Sequence, residues 1–241
     1  MTLKPLLPLC FGASLLLTSI GTSATLVRYE FTSGSATSPT APSPLISASN
    51  VTATSQFQVS ATSGSAFLRH NSSSSNAPAG NAATSLEEAI TRGNTYIQFS
   101  VTPTVSGLSL TSFQFNHSTS LIANSTDPIV LPPDFTSNLS IFASLDGFSA
   151  TPVATDALFT STGTTNGASA SFGNPTFNFT SLNNLSPSDI VTFRVYAYGS
   201  GEQYNQVSRI DNIIISGVPE PTPAALLGLA GVTFALRRRK N

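Results

Sequence analysis

Two histidines, His70 and His117, are the only imidazoles in the chain. With a serine and an acid, a histidine builds a nucleophilic triad; with further ligands, two histidines hold zinc. The sequence supports neither. It contains no Gly-x-Ser-x-Gly elbow, and serine is too abundant for any one to stand out. His70 borders a polar loop in Leu68-Arg-His-Asn71, and His117 follows Phe113 and Phe115 at the end of an alternating run, so both read as edge residues. Paired carboxylates would serve a glycosidase, but Asp127, Asp134, Asp146, Asp156 and Asp211 qualify by type alone. Asp146-Gly147 reads as a hairpin turn. Asp211, two residues after Arg209 in a strand, suits either an ion pair or a calcium ligand at a sheet end; calcium takes oxygen ligands of this kind, although the EF-hand pattern is absent. No catalytic or metal residue is assigned, and a secreted glycoside hydrolase is the least favoured function.

Sugar binding is the stronger alternative. Saccharide sites combine an aromatic platform with planar polar groups, and tryptophan is absent here. Tyr196 and Tyr198 share one strand face with Arg194, and Tyr204 lies close in sequence with Glu202 and Gln203. That face is either a shallow glycan-binding surface at Tyr196 and Tyr198 or the second buried side of a central strand, and burial is favoured.

The elements that must position these residues read as strands. Alternating polarity recurs between turn-rich stretches. It marks Leu26–Phe31, Val51–Val59, Tyr96–Val101, Leu108–Phe115, Leu139–Ser144, Thr176–Leu182, Val191–Tyr198 and Arg209–Ser216. In Leu108–Phe115 the phase slips at Thr111-Ser112, as a bulge would make it do. The one helical turn or two lies around Ser85–Ile90, where Ser85 caps and Glu88 stands three residues on. Hydroxyl-rich Ser33–Pro44 and Asn71–Ala83 read as surface loops. Eight or so strands with one solvated face predict an all-β fold: a single β-sandwich, jelly-roll-like.

Charged residues make up 9% of the chain, against a usual ~25%. Between the two ends stand five arginines (Arg28, Arg69, Arg92, Arg194 and Arg209), no lysine and ten acidic residues, which leaves −5. Nucleic-acid binding needs the opposite balance. Cys10 is the only cysteine and lies near the N-terminus, so the body has no disulfide, no thiolate metal site and no thiol nucleophile.

The ends have their own grammar. Lys4, the apolar run Leu6–Ile20 and the small residues Gly21-Thr-Ser-Ala24 follow the plan of a secretory signal, with cleavage expected after Ala24. At the other end come Val218-Pro-Glu-Pro221, the apolar stretch Ala224–Leu236, and Arg237-Arg-Arg-Lys240. Thirteen apolar residues at ~1.5 Å each reach only ~20 Å, short of a ~30 Å bilayer core; neighbouring residues and arginine stems can make up part of the difference. A basic cluster stays cytoplasmic, which agrees with a signal that exports the body. Ala224, Gly228, Gly231 and Ala235 recur on one helix face, a small-residue stripe that permits close packing, in a segment already rich in Ala and Gly.

This three-part ending resembles the PEP-CTERM sorting domain of Gram-negative bacteria. The resemblance implies an exosortase as processing partner, with Val218, Pro219, Glu220 and Pro221 as the recognised motif and Arg237, Arg238, Arg239 and Lys240 as the cytoplasmic tail. It also implies an inner-membrane-anchored precursor delivered to the cell surface or extracellular matrix. Tyr96-Ile-Gln-Phe-Ser-Val-Thr-Pro103 and Arg209-Ile-Asp-Asn-Ile213 are similar to phrases of such proteins. The organisation expected is a signal peptide at 1–24, an exported β-sandwich at 25–217 and a sorting signal with a short transmembrane helix at 218–241. The expected function is that of a non-enzymatic surface protein without cofactor, with a carbohydrate-binding module of the exopolysaccharide matrix as the alternative.

Overall fold

The computed structural model describes residues 22–31, 37–40, 42–54, 57–60, 65–70, 83, 85–93, 95–121, 135–149, 154–163, 176–200 and 206–220. Residues 1–21 and 221–241, with Pro221, the apolar stretch and the basic tail, lie outside them. Residues 23–220 form one compact unit. Its elements are β1 (Ala24–Tyr29), β2 (Ile46–Ala48), β3 (Thr52–Ala53), β4 (Phe57–Ser60), β5 (Ser65–His70), α1 (Leu86–Arg92), β6 (Tyr96–Pro103), β7 (Leu108–Leu121), β8 (Phe135–Ser144), β9 (Ala154–Gly163), β10 (Thr176–Asn178), β11 (Val191–Ser200) and β12 (Gln206–Pro219).

The strands make two antiparallel sheets. One runs β10-β7-β12-β5-β4, with β1 also on β12; the other runs β2-β6-β11-β8-β9, with β3 also on β6. Along one edge of β12, β5 pairs with Gln206–Ile210 and β1 with Ile213–Gly217, while β7 follows the other edge. Where β5 gives way to β1, the β7–β12 register shifts between Asp211 and Ile214, and Asn212 takes φ +49°. A bulge fits this place because Asn tolerates the left-handed region.

One apolar cluster draws on both sheets. Phe99 of β6 lies 6.1 Å from Phe113 of β7, and Phe193 of β11 lies 5.8 Å from Phe113. Alternation explains who enters: on β6, Ile97, Phe99 and Val101 are buried while Tyr96, Gln98 and Ser100 are half-buried. On β7, Leu110 and Phe113 both point inward although three residues apart. Ser112 pairs with Ser216 but Leu110 with Gly217, which leaves Thr111 as the extra residue of the bulge expected there. Tyr29, within the core, donates its hydroxyl to Ser49 O at 2.7 Å, and burial pushes its pKa well above the usual value.

Helix α1 has the expected start and runs on to Arg92. Ser85 Oγ accepts from Glu88 N at 3.2 Å, and Gly93 closes the helix at φ +62°. Seven residues do not make a stable helix alone. Ala89 docks it in a second cluster with Phe142, Tyr196 and Tyr198.

Three readings change. Val51–Val59 is not one strand: β3 pairs with β6 in one sheet and β4 with β5 in the other. Thr54, which both donates from its hydroxyl to Tyr96 O and accepts from Tyr96 N, fixes the chain at the crossover. Thr176–Leu182 is strand only to Asn178, and Leu182 is a buried loop residue whose carbonyl accepts from Leu110 N. The last strand continues past Ser216 to Pro219.

Candidate functional site

The extension of β12 places the first residues of the expected sorting motif. Val218 pairs with Ser109 and Pro219 with Leu108. Leu108 turns its own N–H and C=O to Leu185 on the far side of β7, so the nitrogen of Pro219, which has no proton, faces away from β7 and no ladder bond is lost. Glu220 N then donates to Gly107 O at 2.5 Å. Ser109, 4% exposed, donates its hydroxyl to Glu220 Oε1 at 2.6 Å and accepts from Asn184 N at 3.1 Å. Two residues back, Gly217 is required by crowding: a Cβ there would stand 2.6 Å from Leu26 Cδ1 and 2.6 Å from Ser109 O. Gly217 also pairs with Ala24, so the expected signal-cleavage residue lies across from the residue before Val218. Pro219 and Glu220 are nonetheless exposed. The arrangement presents Val218–Glu220 as an extended segment, paired on one side, with its carboxylate tied to the body.

Tyr196 and Tyr198 are 4% and 8% exposed. Tyr196 meets Phe142 edge to face at 5.5 Å, and the Tyr198 hydroxyl lies 3.2 Å from Ser140 Oγ. Their rings pack beneath α1, so they do not offer the open faces on which a sugar stacks. The same outward face does carry a half-buried group beside them. The Arg194 guanidinium carbon lies 4.7 Å from the Tyr96 ring centre and 4.2 Å from that of Phe148. Nε donates to Gln98 Oε1 at 2.8 Å and Nη1 to the Tyr196 hydroxyl at 3.5 Å. Phe148 sits at φ +69°, a conformation that costs a bulky residue of order 1–3 kcal/mol. It is held there because its N–H donates to Ser144 Oγ at 2.9 Å and to Asp146 Oδ1 at 3.1 Å. Tyr96, Gln98 and Phe148 come from other segments; the alternation of Tyr96–Val101 puts Tyr96 and Gln98 outward, and only strand register brings them to Arg194.

Among the described residues the acidic and histidine candidates do not come together. Asp146 lies in the β8–β9 connection, as its turn reading requires; its carboxyl is held below the usual value first by the Ser144 hydroxyl. Asp211 does not pair with Arg209; it accepts from Asn212 N at 2.7 Å and Asn212 Nδ2 at 3.2 Å. Ion pairs among the described residues are Arg28–Glu30 and Arg92–Glu88. His117 is fully buried in β7 and is not the edge residue expected, because the strand runs on to Leu121 and its alternation carries residue 117 to the same face as Phe113 and Phe115. Asp127, Asp134, Glu202, Gln203 and Tyr204 lie outside the described residues. Among the described residues, no three His, Cys, Asp or Glu side chains converge to hold a metal ion, and no helix is long and apolar enough to cross a membrane. Comparison with protein-family models gave no match, and comparison with curated proteins gave none.

Proposed function

We propose that this chain is an exported surface or matrix protein, sorted through residues 218–241 by an exosortase-type membrane enzyme, with a non-enzymatic jelly-roll β-sandwich as its body. The observation that carries the reading is the ordered ending: Val218-Pro-Glu-Pro221, a short apolar run, then Arg237–Lys240. The path of β12 supports it, because the motif's first three residues stand extended at the end of the last strand and exposed at Pro219 and Glu220. An extended backbone is the form a protease cleft takes. The sandwich reading draws support from strand order. β1-β12-β7-β10 and β6-β11-β8-β9 are the two four-strand sheets that interlocked Greek keys produce, and Phe99, Phe113 and Phe193 join them. The β4–β5 hairpin is then an insertion between the first and second strands of that plan.

The test is fractionation of cells carrying the full chain or a chain ending at Gly217. The full chain is expected at the surface or in the matrix in a form shortened at its C-terminus. Arrival of the truncated chain at the same place in the same form refutes the sorting reading.

A further inference from the structure

We infer that Arg194, packed against the rings of Tyr96 and Phe148, is a binding site for a carboxylate-bearing sugar. The inference concerns the body alone and stands apart from the fate of the tail. A guanidinium has five N–H donors in a flat fork. Here the guanidinium carbon stands over two rings, Nε is taken by Gln98, and Nη1 makes one long contact with Tyr196. The remaining donors lie on the edge of the fork, and no carboxylate of the described residues pairs with them. Charge that is half-buried and unpaired is unfavourable in an isolated fold; an incoming carboxylate relieves it with two parallel charge-assisted bonds.

The backbone at Phe148 points the same way. A phenylalanine in the left-handed region is held against its preference, and such strain gathers at ligand clamps. Three hydrogen-bonding groups, Ser144 Oγ, Asp146 Oδ1 and the Phe148 amide, fix the turn so that the ring covers Arg194. The clamp therefore exists before any ligand arrives.

The neighbours select a sugar acid over a bare oxyanion. On paired strands the outward rows run Tyr196–Tyr96, Arg194–Gln98 and Thr192–Ser100. Beyond the cation stands the half-buried Ser100 hydroxyl, 2.9 Å from that of buried Thr192, and exposed Thr52 of β3, whose hydroxyl donates to Gln98 O, lies opposite Gln98 on the other side. Neutral hydroxyls and an amide next to one fixed cation match the hydroxyls and single carboxylate of a uronic acid unit. The net −5 of the body opposes an anionic chain at a distance, but that repulsion is screened beyond ~8 Å at physiological salt.

The experiment is titration of the full chain in detergent micelles with oligogalacturonate, with neutral dextran oligomers and inorganic phosphate as controls. Oligogalacturonate is expected to bind and dextran not to bind. Arg194→Gln is expected to weaken binding roughly tenfold or more, and Arg194→Lys, which keeps the charge without the fork, to weaken it severalfold. Phe148→Gly frees the strained backbone while loosening the clamp, so its thermal midpoint is expected to hold while its affinity falls; it decides the matter if the Arg194 variants do not fold. Failure of the wild-type chain to bind, equal binding by Phe148→Gly or a folded Arg194→Gln, or equal affinity for dextran overturns the inference. Displacement of oligogalacturonate by equimolar phosphate overturns the choice of a sugar acid.

Discussion

Ser109 Oγ donates to Glu220 Oε1 at 2.6 Å and in the same position accepts the amide proton of Asn184 at 3.1 Å. One buried hydroxyl thus joins three places in the chain: the start of β7, the loop before β11 and the end of β12. Asn184 is presented to it by a left-handed backbone at φ +53°. With the Glu220–Gly107 bond, this makes Glu220 the last residue that the body holds by a described bond. A processing enzyme that takes up Val218–Glu220 as an extended strand must first separate it from Gly107–Ser109, so access is set by local opening and not by global unfolding.

Ser109→Ala is therefore expected to speed opening at this end. Amide hydrogen exchange at Glu220 should rise roughly three- to tenfold, the range for loss of one ordinary hydrogen bond. Exchange in the centre of β11 should stay as it was. An unchanged rate at Glu220 would show that strand pairing with β7 holds the segment without the Ser109 hydroxyl.

Gly217→Ala tests the same end from the packing side. The added methyl meets Leu26 Cδ1 and the Ser109 carbonyl oxygen, each at 2.6 Å. The leucine can turn; the backbone oxygen cannot move without its strand. Overpacking of this sort costs about 1–3 kcal/mol, and urea unfolding should show it as a lower midpoint with an unchanged slope. Wild-type stability in this variant would mean that β1 and β12 do not close as tightly as described.

Much of this architecture was legible because it is local. The alternation of β6 and β11 gave their inward faces, the phase slip at Thr111-Ser112 gave the bulge, and Ser85 with Glu88 gave the helix start. What was not legible depends on partners distant in sequence. Gly217-Val-Pro-Glu220 reads as the end of a strand, yet the glycine answers to crowding by Leu26 and Ser109, and the missing proton of Pro219 faces away from β7. Strands β2, β5 and β9 escaped the reading altogether. The Arg194 site shows the same division: its strand and facing were plain, but Phe148 reaches it from a turn 46 residues away.

Asp211 offers a pH test. Burial raises its carboxyl above 3.8; the Asn212 amide opposes this, and the charge of Glu30 adds to it. A folded-state value above the unfolded one means that the native state holds the proton more tightly. The resulting stabilisation is complete below 3.8 and is lost as the pH rises through the folded value. Asp211→Asn keeps an oxygen to accept from Asn212 N and removes the charge. It should be the more stable chain at neutral pH, by about 0.5 kcal/mol, with the gap closing in acid. Urea midpoints at neutral and strongly acidic pH measure this; a gap that widens in acid would contradict the assigned direction.

Tyr196 separates packing from recognition on the outward face of β11. Its ring is 4% exposed and touches Phe142 at 5.5 Å and Tyr96 at 5.1 Å, with α1 over the same cluster. Truncation to alanine opens a cavity that α1, anchored there by Ala89, is too short to fill, and loss of a large buried aromatic costs about 3–5 kcal/mol. Small domains hold only ~5–15 kcal/mol in all, so Tyr196→Ala should lower the unfolding midpoint steeply and release α1, visible as fast exchange from Ala89 to Gly93. If Tyr196 instead served as an open sugar platform, the variant would keep its stability and lose only ligand affinity. Tyr196→Phe distinguishes a third possibility. It retains the ring and removes only the long contact from Arg194 Nη1, so stability should be kept and oligogalacturonate binding changed by less than about threefold. A large loss of affinity in that variant would move the centre of the site from the edge of Arg194 to the tyrosine hydroxyl.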